Sequence, residues 1–200
     1  MSTWYTKMKT KNKSLEERIL KTTEALISRN GIKGWNMNDL ASHAGITKRT
    51  LYKIIESKEQ LIREVVFKNI FEIRDKISEI IKGSDDVLSG IDHIITTIAE
   101  LLRNNIINRY GEILNEFPDL EAEIVKENAI FFSQLRDFLS KGIEDGYLVK
   151  DLTPDFMYRT FLANLFYFIK YSRTQEEAAD NMALALRCMF RGSINYEKKN

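Results

Sequence analysis

Apolar residues recur every three or four positions along almost the whole chain, and no aliphatic stretch alternates strictly with polar residues. That is the period of an α-helix burying one face, so the pattern predicts an all-α fold of about nine helices. The first helix opens at "SLEE", with Ser14 as cap and Glu17 completing a capping box; Leu15, Ile19, Leu26 and Ile27 share its inward side. Gly31 is expected to end it in a left-handed conformation. Short second and third helices should follow Asn36 and Thr47, and a fourth starts at Ser57 and runs to about residue 81, before Gly83 and Ser84. Further on, the pattern predicts a core helix over 85–104, a short one over 108–117, a long one from Pro118 to Glu144, and two more over 155–172 and 175–191.

One stretch has tighter spacing. In "NDLASHAGITKRTLYKII", residues 38–55, Ala41 offers a small side chain where two helices would cross, and Gly45 stands four residues later where the chain must turn. Leu40, Ala44, Ile46, Leu51 and Ile54 then fall on the inward side, and Thr47 can cap the helix that follows. These are the intervals of a helix-turn-helix. The outward positions left over are Lys48, Arg49, Thr50, Tyr52 and Lys53, nearly all hydrogen-bond donors. A DNA major groove admits such a helix: Lys48 or Arg49 could bond guanine edges, and Thr50, Tyr52 and Lys53 phosphates, with Thr47 expected beside them in the DNA-binding set. Lys58 adds a cation beside the free amides at the start of the fourth helix.

The segment from Arg18 to Val66 resembles the N-terminal DNA-binding domain of TetR/AcrR-type transcriptional regulators, most specifically in "AGITKRTLY" and "SKEQL". "GIEDGYLVKDLTPD" and "MFRGS" nearer the C-terminus are also family-like. Arg49 stands where the family often has glycine, and Ile54-Ile55 where it often has Tyr-Phe. The resemblance implies a homodimer whose larger C-terminal domain binds a small ligand that weakens DNA binding. The expected organisation is a flexible basic arm over 1–13, a three-helix DNA-binding domain over 14–62, and a helical ligand-binding and dimerisation domain over 63–195.

Charge supports that division. The net charge is +1, but residues 1–63 carry 13 Lys or Arg against 6 Asp or Glu, and residues 64–200 carry 17 against 23. The basic end, including Lys7, Lys9, Lys11 and Lys13, is suited to a polyanion such as double-stranded DNA, and a two-fold dimer would match a palindromic operator. The other reading is an all-helical protein-interaction module with an incidental basic face; steep salt dependence of duplex binding separates the two.

Other chemistry is thinly represented. His43 and His93 have no partners at metal spacing, no glycine-rich phosphate loop is present, and Cys188 is expected to pack as a small hydrophobe, so neither enzyme activity, metal nor cofactor is expected. The acidic run over 112–127 is expected to form a solvated face. One cysteine, a polar and basic N-terminus and no apolar run of about 18 residues point to the cytoplasm, without secretory leader or membrane span. Aromatic residues after Tyr110 exceed what one helix contact needs, and they suggest a ligand pocket from Phe131, Phe132, Leu135, Phe161 and Phe168. His93, Arg103, Tyr110 and Asn164 could supply its polar groups. The homodimer is expected through the last two long helices, the final one offering Ala178, Ala179, Ala183 and Ala185 for close approach.

Overall fold

The computed structural model describes residues 12–104 and 109–195, apart from the side chains of residues 104, 129 and 130. Among the described residues the chain forms ten α-helices and no strand: α1 Lys13–Asn30, α2 Met37–His43, α3 Lys48–Ile54, α4 Lys58–Gly83, α5 Val87–Asn104, α6 Tyr110–Glu116, α7 Asp119–Glu127, α8 Ala129–Glu144, α9 Pro154–Tyr171 and α10 Gln175–Ser193. Most starts have a side-chain cap, as the sequence requires. The Asp86 carboxylate accepts from the amides of Leu88 and Ser89 at the head of α5, and Thr153 and Thr174 cap α9 and α10.

Most helix ends lie within about two residues of expectation, α4 running through Gly83 rather than stopping before it, and two differences are larger in consequence. The cap of α1 is Asn12, whose side chain accepts from the Leu15 amide at 3.1 Å, so Ser14 lies inside the first turn and Lys13 is helical rather than part of an arm. Asn and Ser cap equally well, and the sequence offers both two residues apart. Lysines 7, 9 and 11 lie outside the described residues. The long helix expected from Pro118 to Glu144 is two, α7 and α8, with a turn at the buried Asn128.

The chain divides into two compact units. The first holds α1–α3, α4 as far as Glu72, and the segment Glu112–Ile124, a wider set than residues 14–62. Its core gathers Ile19 and Ile27 of α1, Leu40 and Ala41 of α2, Leu51 and Ile54 of α3, and Leu61, Ile62 and Val65 of α4. Segment 112–124, whose Ile113, Leu114, Leu120 and Ile124 are buried, is also tied to this unit by ion pairs. The nearly buried Arg63 guanidinium meets Glu59 at 2.9 Å, Asp119 at 2.8 Å and Glu123 at 3.0 Å, with the Phe117 ring centroid 5.5 Å away, and Lys33 pairs with Glu116 at 2.9 Å. Burial alone would lower the Arg63 pKa; hydrogen bonds to Glu59 and Asp119 and the charge of Glu123 outweigh it and raise it. Part of the acidic run is thus bound to cations rather than simply solvated.

The second unit comprises the rest of α4, α5 and α8–α10. Its most extensive packing is α10 on α5, followed by α10 on α9. Ala178, Ala179 and Ala183 are already buried within the single chain, so three of the four alanines expected at a dimer face serve internal packing instead. Small residues allow that close approach. Cys188 is exposed rather than packed, one turn beyond the exposed Leu184.

The reversal between α2 and α3 gives a direct stability test. Gly45 has φ +63°, and a Cβ built there would touch nothing within 4 Å, so alanine would meet only backbone strain. Gly45→Ala should lower unfolding free energy by about 1–2 kcal/mol in urea titration. Gly83→Ala, equally open and without a positive φ, should change it by less than about 0.5 kcal/mol.

Candidate nucleic-acid interface

The α2–α3 pair is built from two caps and a turn. The Asn36 side chain accepts from the Asn38 and Asp39 amides at 2.8 and 3.3 Å, and the Asp39 carboxylate accepts from the Asn36 amide at 2.8 Å, a reciprocal capping box. After α2 the chain turns at Gly45, where the Ile46 amide donates to the Ala41 carbonyl at 3.0 Å. Thr47 Oγ1 then accepts from the Thr50 amide at 3.1 Å and lies 2.8 Å from the Thr50 hydroxyl.

Burial of Leu51 and Ile54 fixes which face of α3 turns outward. Lys48, Arg49, Tyr52 and Lys53 are exposed there, Tyr52 by 49%, with Thr50 half-buried beside them. The Lys48 ammonium lies 5.8 Å from the Tyr52 ring centroid. Among the described residues no ion pair involves Lys48, Arg49 or Lys53, so their charge is available to an anion. Six expected contacts, Thr47 to Lys53 without the buried Leu51, therefore lie on one short element. Its chemistry suits phosphates and guanine edges.

Lys58 differs from them. It opens α4 after Ser57, whose Oγ accepts from the Gln60 amide at 3.0 Å, and its ammonium stands 4.1 Å from the Trp35 ring centroid and donates to the Trp35 carbonyl. Burial pushes the ammonium pKa below the ordinary lysine range, and the nearby Asp39 charge opposes that shift. Sequence reasoning passed over Trp35. Its one signal was a large aromatic in a loop, directly before the α2 cap.

Residues expected at a ligand pocket are dispersed through the second unit. Phe131, Leu135 and Phe161 line an apolar cavity of about 40 Å³, together with Ile77, Ile94, Phe138, Met157, Tyr158, Met189 and others. No charged side chain lines it. Burial pushes the Tyr158 phenol pKa up, and Phe132 stacks on Tyr158 at 4.1 Å without lining the cavity. The polar groups lie elsewhere. His93 is exposed in a groove between α4 and α5, Arg103 pairs with Asp180, and the Asn164 amide donates to Thr160 of its own helix. Tyr110 is buried outside the cavity lining, and Phe168 lines a separate groove with Arg109 and Arg173. Of the residues expected at a pocket, Phe131, Leu135 and Phe161 line this cavity; the sequence pattern marked the α5 residues as core and singled out no lining residue of α4 or α10.

No group of three or more His, Cys, Asp or Glu is placed to hold a metal ion among the described residues, and no helix there is long and apolar enough to cross a membrane. Residues 19–65 match the family described as bacterial regulatory proteins, tetR family. Over 156 residues the chain is 27% identical to the uncharacterized HTH-type transcriptional regulator YvaF of Bacillus subtilis (strain 168), covering 76% of this chain and 79% of that one. It is 22% identical over 151 residues to the HTH-type transcriptional repressor KstR2 of Mycolicibacterium smegmatis, covering 73% of each. The solved structure of the ketosteroid transcriptional regulator KstR2 of Mycobacterium tuberculosis shares the fold, with a TM-score of 0.60, 21% identity, and coverage of 94% of this chain and 99% of that chain.

Proposed function

Since the chain belongs to the TetR family of helix-turn-helix transcriptional regulators, we propose that it is a cytoplasmic dimeric repressor, released from a palindromic operator by a small apolar or aromatic ligand. The observation that carries this reading is the outward face of α3, a row of exposed and unneutralised donors held by the Gly45 turn. Lys48 and Arg49 read base edges in the major groove. Thr47, Thr50, Tyr52, Lys53 and Lys58 bond phosphates, which set register and not sequence.

The dimer uses the outward faces of α9 and α10. Phe156, Tyr167 and Tyr171 of α9 are 53%, 60% and 70% exposed, and Leu184 of α10 is 60% exposed. Large apolar side chains gathered on adjoining helices are unfavourable in water, and a second copy covers them with an isologous four-helix contact. Two-fold symmetry then presents two copies of α3 to half-sites one helical turn apart, about 34–36 Å.

The ligand enters the apolar cavity. Its volume of about 40 Å³ is near the space of one water, well under the ~300 Å³ of ordinary ligand pockets, so Met157, Met189 and Phe138 must repack to admit it. A charged ligand would be buried without a partner among these residues, which favours an uncharged one. Ile77 of α4 lines the cavity and Lys58 begins the same helix, about 39 Å long at ~1.5 Å per residue. Ligand preference for one setting of α4 would couple the two sites, typically by about 1–3 kcal/mol.

Selection of bound duplexes from a random library, followed by affinity measurement, tests the DNA reading. The unaltered protein should select a short palindrome. Arg49→Ala should lose preference at particular base pairs, at a cost of about 1–3 kcal/mol, whereas Tyr52→Ala should weaken all sequences alike. Retention of full preference by Arg49→Ala would move Arg49 to the phosphate backbone. For the dimer, sedimentation at micromolar concentration should give a dimer for the unaltered chain and a folded monomer for Tyr171→Glu with Leu184→Glu. A dimer surviving both charges would place the interface elsewhere.

A further inference from the structure

We propose that Trp35 is a positioning residue for Lys58: its ring and its carbonyl together hold the ammonium at the first turn of α4, so that a DNA phosphate meets a charge already in place. The inference rests on the assignment of Lys58 to a phosphate.

The geometry supplies the reason. A lysine stem is long and flexible, and ordering it on binding weakens a contact that a preset side chain makes without that loss. Here the ammonium is preset from two directions, by the indole face at 4.1 Å and by the backbone oxygen of the same residue. An ammonium has three donors, and the carbonyl takes one, which leaves donors for a phosphate oxygen. Lys58 remains half-buried rather than enclosed, so an anion can reach it. Trp35 itself is buried, and its Nε1 has no hydrogen-bond partner. An indole kept where its N–H is unused is kept for its ring, and indole offers the strongest aromatic face to a cation.

The tie also has a structural position. The Trp35 carbonyl lies one residue before Asn36, the cap of α2. Holding Lys58 there therefore fixes the start of α4 against the entry to α2, and α2 carries α3 through the Gly45 turn. The phosphate contact and the recognition helix share one frame.

A double-mutant cycle in the full-length chain tests this, with a short mixed-sequence duplex as probe and affinity measured across salt concentrations. Lys58→Met should weaken binding several-fold and reduce the salt slope by about 0.9, one phosphate's worth. Trp35→Leu should also weaken binding several-fold while leaving the slope nearly unchanged, because the charge remains. Added to Lys58→Met, it should weaken binding no further. Trp35→Phe, which keeps a ring, should retain most of the affinity. A purely packing role for Trp35 predicts the same loss from Trp35→Leu in both backgrounds, and that result, or no loss in either, overturns the proposal. If Lys58→Met changes neither affinity nor slope, the phosphate assignment itself fails and the inference falls with it. The unaltered protein supplies a reading that does not depend on a variant folding. The Lys58 ε-methylene should show an NMR ring-current shift from Trp35 that persists on addition of the duplex; loss of that shift on binding would mean release, not positioning.

Discussion

Between α2 and α3 the chain must reverse within Ala44, Gly45 and Ile46, and the first unit is arranged around that constraint. The Gly45 amide donates to the Ser42 carbonyl at 3.1 Å while the Ile46 amide reaches back to Ala41, a compact closure that needs the positive φ of Gly45. So short a link keeps α2 and α3 close, and Ala41, whose carbonyl receives the Ile46 amide, is buried. With Leu40, Ala44, Leu51 and Ile54 all buried, packing occupies the inward side alone. Lys48, Arg49, Tyr52 and Lys53 consequently have no part in the core. The buried face and the exposed cationic face of this seven-residue helix are separate, so substitutions on the exposed face should cost little stability.

Charge is sorted by a similar rule. The first 63 residues have a surplus of cations, yet those near the segment 112–124 are neutralised locally: Arg63 by Glu59, Asp119 and Glu123, and Lys33 by Glu116. The cations of α3 have no such partners among the described residues. A nearly buried guanidinium needs several acceptors because removing it from water is costly, whereas an exposed ammonium does not. The same composition thus yields an ionic clasp in one place and an open positive face in another. Net charge distinguishes neither.

How far the sequence could be read follows from the range of each interaction. Caps, turns and helical faces depend on residues within about four positions, which is why Gly45, the Thr47 cap and the inward set of α2–α3 were legible, except that Ile46 is only half-buried. The cap of α1 was not, because Asn12 and Ser14 are both good caps and only the competing geometry separates them. Contacts distant in sequence were invisible for a different reason. Arg63 and Asp119 lie 56 positions apart and Trp35 and Lys58 23 apart, and no local pattern marks either pair. The expected pocket failed on its polar members in the same way: His93, Arg103 and Asn164 occur on appropriate helices, but rotation about each helix axis turns them to other neighbours. Buried alanines on α10 were assigned to the wrong surface, since small size permits close packing without saying against what.

α10 then carries two faces whose demands are linked. Ala178, Ala179, Met182 and Ala183 are buried, and Leu186, Met189 and Phe190 line the cavity, while Leu184 and Cys188 point outward. On α9 the division recurs, with Met157, Tyr158 and Phe161 at the cavity and Tyr167 and Tyr171 exposed. A helix is much stiffer than the side chains on it, and close-packed interiors transmit displacement because they lack free volume. If a ligand enlarges a cavity of about 40 Å³, the movement it forces falls on the helices that line it, α9 and α10 among them. With the proposed dimer formed by their outer faces, cavity opening and subunit contact would draw on the same two helices. A ligand could then change the spacing of the recognition helices through the subunit contact as well as through α4, and each route would add to its differential affinity.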